Sequence, residues 1–131
     1  MTRTDTPIEG AELLDLAVSY LRDDLRPALE GRHRFLTLVA ANALDIVARE
    51  LSLGPSAARR EGGRLEALLG KAGDRDALNE ALCDALADGR LDESTPGLLE
   101  HLFATTMDRL AIDQPRYAAY RRELEASAPV E

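Results

Sequence analysis

Residues 35–51, FLTLVAANALDIVAREL, constrain this chain more than any other stretch, because apolar or small residues surround nearly the whole circumference of the helix they would form. At 3.6 residues per turn, Phe35, Val39 and Ile46 fill one face and Leu36, Ala40, Ala43, Val47 and Leu51 fill its neighbour, with Leu38 and Leu44 extending the coverage. What remains polar is a thin line of Arg34, Thr37, Asp45, Arg49 and Ser52. A helix of this kind is expected to be covered on several sides, with the rest of the chain wrapped around it. Asn42 falls beside the Leu38, Val39 and Ile46 surface, where a side-chain amide needs hydrogen-bond partners. It either ties this helix to a neighbour or holds a ligand.

The flanking sequence supplies the helices that would do the wrapping. Thr6-Pro7-Ile8-Glu9 reads as a capping Thr, a Pro at the first helical position and a Glu three residues after the cap, so helix one is expected over about 7–26. Its inward line is Leu14, Ala17, Val18, Leu21 and Leu25. Pro27 and Gly31 predict a corner that returns helix two antiparallel to helix one. Leu53-Gly54-Pro55 is expected to close helix two, with a third helix starting at Pro55 or Ser56, weakened by Gly62-Gly63 and docked through Leu65, Leu68 and Leu69. Asp74 or Asp76 can cap a fourth helix with Leu78, Leu82, Ala85 and Leu86 inward, ending at Gly89. Ser94-Thr95-Pro96 announces a fifth with Leu99, Leu102, Phe103, Thr106 and Leu110 inward, and a last short helix is expected over 115–126. Nothing alternates with a period of two. The expected fold is all-α, a single compact bundle of five to six helices around a central, mostly buried second helix, with one domain over 1–131 and an ordered core of about 7–126.

Composition narrows the function classes. With aromatics at 4 % and no Trp, the core must be aliphatic, which favours helices over strands. A net charge of -8 argues against non-specific binding to nucleic acid or anionic lipid, which needs a dense basic face. Cys83 is the single cysteine and reads as a small buried hydrophobe beside Leu82 and Leu86 in a chain suited to a reducing cytoplasm. No signal-peptide core or long apolar run is evident, so the protein is expected to be soluble and cytoplasmic.

Catalytic chemistry finds few footholds. Glu30 and His33 have the Glu-x-x-His spacing of di-iron bundles, but such a site needs a second copy, and His101 has Leu98 three residues before it. The sequence holds no Gly-x-Ser-x-Gly elbow and no phosphate-binding glycine loop. No catalytic, cofactor or metal residue is therefore assigned. Two polar clusters remain. Arg32 and Arg34 stand at the start of helix two, where basic groups oppose the dipole; either local acids such as Glu30, Asp23 or Asp24 compensate, or the arginines meet an anionic group on a partner or ligand. Asp113, Arg116 and Tyr117 surround the last breaker; there Asp113 is expected to cap the final helix or pair with an arginine, and Tyr117 to anchor that helix with its ring buried.

Pro27-Ala28-Leu29-Glu30-Gly31-Arg32 leading into Arg34-Phe35, Val39-Ala40-Ala41-Asn42-Ala43-Leu44, Arg49-Glu50-Leu51, and Leu110-Ala111-Ile112-Asp113-Gln114-Pro115-Arg116-Tyr117 together resemble a small bacterial all-helical family catalogued as a domain of unknown function. The resemblance spans roughly residues 10–120 and carries over Gly31, Arg32, Phe35, Asn42, Asp113, Pro115, Arg116 and Tyr117. Members are typically encoded beside aminoglycoside-phosphotransferase-like kinases and acyl-CoA dehydrogenases. The resemblance therefore implies a non-catalytic accessory protein of a kinase acting on hydroxyacyl-CoA, with an acyl-CoA dehydrogenase as a second candidate partner, no cofactor, and a homo-oligomer left open. Arg32, Arg34, Asn42, Asp113, Arg116 and Tyr117 are the candidate partner or ligand contacts. The alternative is a free-standing bundle that binds a small apolar or acyl ligand between its helices. A cavity lined by Leu and Ala with Asn42 at its end would favour the ligand; an exposed apolar patch rimmed by arginines would favour the partner.

Overall fold

The computed structural model of the protein describes residues 9–130. Among these residues the chain is all-α, with α1 Gly10–Ser19, α2 Gly31–Leu69, α3 Arg75–Ala87, α4 Leu98–Asp113 and α5 Ala118–Ala126. The expected start of helix one at Thr6-Pro7-Ile8 lies outside the described residues. The chain divides into two compact units, Met1–Leu53 and Gly54–Glu131.

In the first unit, α1 continues without a break into a π-helical stretch, Tyr20–Leu25, and a 3₁₀ turn, Arg26–Ala28. The Arg26 N–H bonds the carbonyl of Leu21, the five-residue step that defines a π-turn. The corner expected from Pro27 and Gly31 is present: Leu29 is extended, and Gly31 opens α2 at φ +60, a left-handed conformation that glycine adopts without steric penalty. Two contacts fix the return direction of α2. A Cβ built on Gly10 would lie 3.5 Å from Leu51 Cδ1, while Arg22, later in the chain, reaches back to Asn42 and Asp45. Early residues of one element thus meet late residues of the other, so the pair is antiparallel. Val18 of α1 and Ala41 and Ala48 of α2 are buried, and the two alanines lie on the same side of α2 as Asp45.

The burial expected for the second helix is overturned here. Phe35, at 64 % exposed, and Leu36, Val39, Ile46, Val47 and Leu51 all face water, whereas Thr37, Asp45 and Arg49 from the thin polar line are half-buried. The reason is geometric. Within this unit α2 has one helical neighbour, and the small side of the helix, Ala41 and Ala48, lets α1 approach closely while the bulky side points away. α1 shows the same division: Val18 is buried, but Leu13, Leu16 and Tyr20 form an exposed stripe opposite it.

The second unit is built on the later part of α2 together with α3, α4 and α5. Leu65, Leu78, Leu82 and Leu98 form its core, with Leu68, Leu69 and Leu91 packed around them. The expected docking residues of α2 and the Leu78, Leu82, Ala85 line of α3 are found inside, while Leu86 is exposed. Arg60 pairs with Asp108, and Arg64 reaches His101 and Thr105, so the later part of α2 runs antiparallel to α4. Gly70 ends α2 and Gly89 follows the end of α3, as the sequence indicated.

Four local expectations fail from Leu53 onward. α2 does not stop at Leu53-Gly54-Pro55 but carries Pro55 inside its 39 residues, joining the expected second and third helices into one. A proline there removes the bond to the carbonyl four residues back and crowds the preceding turn, at a cost of about 3 kcal/mol; the helix formers on both sides outweigh that single lost bond. The outward and inward faces of α4 are exchanged: Leu98, His101 and Ile112 are buried, and Leu99, Leu102 and Phe103 are exposed. Ser94 and Thr95 do not cap α4 either. They tie the preceding loop to Asp92, and Gly97 at φ +86 occupies the cap position. Cys83, expected inside, is exposed.

Candidate functional site

Unit one holds a polar cluster that the sequence did not single out as such. The π-turn re-aims the residues after Ser19, and Arg22 within it extends one Nη2 to Asn42 Oδ1 at 2.9 Å and to Asp45 Oδ2 at 2.8 Å. The Arg22–Asp45 ion pair is about one-third exposed on each side. Asn42 itself is exposed, and its amide oxygen links α2 to the element before it. Next to this pair, Asp15, Asp45, Ala48, Arg49, Ser52 and Leu53 line an open depression of about 250 Å³. Two carboxylates, a guanidinium and a hydroxyl stand beside Ala48 and Leu53 in this lining, which is open rather than an enclosed sleeve and contains neither His nor Cys. In the turn that follows, Arg26 Nε is buried with no hydrogen-bond partner among the described residues.

A second cluster sits in unit two. His101 is 2 % exposed, and its Nδ1 accepts from Arg64 Nε at 3.1 Å, which places the neutral ring's proton on Nε2. Arg64 also donates to Thr105 Oγ1, so one guanidinium holds two residues of α4. Burial pushes the His101 pKa down, the Arg64 charge pushes it further the same way, and Glu61 opposes both. Glu61 accepts from Asn79 and lies 3.7 Å from Arg75, joining α2 to α3. Every polar group in this cluster spans two helices of the unit, which is the arrangement of an internal brace. In the sequence His101 suggests only a metal ligand; its Arg64 partner, 37 residues away, leaves no mark in a linear reading.

The residues singled out from the sequence are placed as follows. Arg32 and Arg34 are exposed on the first turn of α2 and make no hydrogen bond or ion pair among the described residues, so Glu30, Asp23 and Asp24 do not compensate them by contact. Asp113 is the last residue of α4; it accepts from Arg109 Nε at 2.8 Å, one turn back, and it does not cap α5, which begins after Tyr117 with no side-chain cap. Arg116 is exposed, and Tyr117, expected to bury its ring, is 51 % exposed. Arg32, Arg34 and Asn42 belong to unit one, and Asp113, Arg116 and Tyr117 to unit two. Among the described residues no three of His, Cys, Asp and Glu gather as a metal site, and no helix is long and apolar enough to cross a membrane.

Among the described residues, the helices of each unit are braced by side-chain pairs and carry large apolar side chains on their outer faces, which defines a small all-α protein. The sequence profile of the family described as domain of unknown function DUF6285 matches residues 27–117, and the chain belongs to that family. The match begins at Pro27 and ends at Tyr117, so it takes in the corner, all of α2 and the breaker after α4. No curated protein and no solved structure matches the chain.

Proposed function

We propose that this protein is a non-catalytic accessory subunit of an aminoglycoside-phosphotransferase-like kinase acting on hydroxyacyl-CoA. The observation that supports this reading is the amount of large apolar side chain left in water: Leu13 and Leu16 on α1 with Tyr20 just after it, Phe35, Val39 and Val47 on α2, and Leu99, Leu102 and Phe103 on α4. Scattered apolar residues are normal on a surface, but stripes at helical spacing on three helices mark places where other chains sit. Arg32 stands at one end of the α2 stripe, in keeping with a polar rim around an apolar contact. The identity of the kinase rests on the family resemblance. The depression in unit one is open and edged by Asp15, Asp45 and Arg49, not the enclosed Leu- and Ala-lined cavity that the acyl-ligand alternative calls for.

The test is co-expression of the cognate kinase with a tagged copy of this chain, followed by affinity purification. The kinase should co-purify in a fixed ratio. Phe103→Glu, Arg116→Ala and Tyr117→Ala, each checked for native circular dichroism, should weaken that recovery. Truncation at a hot spot costs about 2 kcal/mol or more, roughly thirtyfold in Kd. A kinase that never co-purifies rules the proposal out.

A further inference from the structure

The bulky side of α2 carries a pattern that points to its occupant. Across the first half of the helix, positions equally distant from Ala41 match one another: Arg32 with Glu50, Phe35 with Val47, Leu36 with Ile46, and Val39 with Ala43. All eight fall within one face of a 3.6-residue helix, opposite the side on which Ala41 and Ala48 are buried, and the six apolar ones among them sit on either side of the Ala41 level. A sequence that reads as its own complement about a midpoint is what two copies need to pack antiparallel across a two-fold axis, since each residue then meets its mate from the other chain. We propose that this face of α2 is the interface of a homodimer, with the two helices antiparallel and crossing at the level of Ala41.

Size, shape and charge each agree with a second copy. Phe35, Leu36, Val39, Ile46 and Val47, with Ala43 between them, expose on the order of 500 Å² per chain; two copies remove on the order of 1,000 Å², the size at which a specific interface begins. At the crossing, Val39 of each copy faces the small Ala43 of the other, which allows close approach, while the larger pairs fill the ends. Arg32 at one end and Glu50 at the other place opposite charges together twice by symmetry, and charges at an interface rim select register and partner more than they add affinity. The parallel arrangement would instead set Arg32 against Arg32 and Glu50 against Glu50. This inference goes beyond the accessory-subunit reading and says which chain covers α2; it leaves the α1 and α4 stripes for the kinase.

The experiment is light scattering coupled to size-exclusion chromatography, with the dissociation constant measured by sedimentation, on the purified full chain. The wild type should run as a dimer. Val39→Glu should give a folded monomer. Arg32→Glu and Glu50→Arg should each weaken the dimer about tenfold, and the two changes in one chain should restore it to within about threefold, because an antiparallel pair exchanges the charges without losing the match. A monomeric wild type, a dimer indifferent to Val39→Glu, or a double variant no better than the single ones would each overturn the proposal. A monomer that still co-purifies with the kinase would overturn the dimer and leave the accessory role standing; a dimer that ignores the kinase would do the reverse.

Discussion

Adjacent residues on α4 should differ sharply in what they contribute to stability. Leu98 is 2 % exposed in the core with Leu65, Leu78 and Leu82, while Leu99 is 56 % exposed. Leu98→Ala removes three carbons, worth about 2.5 kcal/mol at roughly 0.8 kcal/mol per buried methylene. The cavity left behind brings the total to about 3–4 kcal/mol. Leu99 has less than half of its surface buried and its truncation leaves no enclosed void, so Leu99→Ala should cost less than about 1 kcal/mol. Urea unfolding followed by far-ultraviolet circular dichroism measures both, at one fixed protein concentration because self-association shifts midpoints. At a typical slope of about 1–3 kcal/mol per molar urea, the midpoints of the two variants should lie about 1 M or more apart. Equal losses, or a larger loss for Leu99→Ala, would refute the facing of α4 found here and restore the one its sequence suggests.

Three further outcomes follow from particular contacts. Asn42→Leu should cost less than about 1 kcal/mol, because Asn42 is exposed and Arg22 keeps Asp45 as a partner; a loss above about 2 kcal/mol in thermal melts would show that the amide is buried after all. His101 has its pKa lowered by burial and by Arg64, so the unfolded chain takes up the proton more readily. Its contribution is complete above the unfolded value near 6.5 and is lost as pH falls from there through the lower folded value; His101→Gln should flatten that dependence in urea titrations between pH 7 and pH 5, and an unchanged slope would contradict it. Gly62→Ala and Gly63→Ala, both helical with open space around the new methyl, should each stabilise by about 1 kcal/mol, whereas Gly31→Ala should destabilise by about 1–2 kcal/mol at its positive φ. Melting temperatures moving in the same direction for all three would be incompatible with those backbone conformations.

What the sequence revealed and what it hid divide along a physical line. Helix-scale periodicity, the Pro27-to-Gly31 corner and the glycines after α2 and α3 are local signals, and the all-α fold, the antiparallel return of α2 and the Leu65, Leu78, Leu82 core follow from them. Which side of an apolar helix is covered is a tertiary matter. Phe35, Val39 and Ile46 share a face whether a neighbour sits on it or not, and in unit one the neighbour sits on Ala41 and Ala48 instead. Likewise Leu99, Leu102 and Phe103 outweigh Leu98 and His101 in hydropathy, but Arg64 draws His101 and Thr105 inward. Pro55 reads as a stop because its penalty is local, while the bonds on either side that carry α2 past it are cooperative. The Arg22, Asn42 and Asp45 cluster depends on a π-turn, and no residue type between Tyr20 and Leu25 announces one.

The proposed accessory role is tested most directly by titrating the purified chain into a purified aminoglycoside-phosphotransferase-like kinase, following heat of binding and the rate of phosphate transfer from ATP to hydroxyacyl-CoA on the same samples. Saturable binding with a rise in the kinase rate, and no turnover by this chain alone, is the predicted result. No binding heat and an unchanged rate, or phosphate transfer by this chain without the kinase, would contradict it.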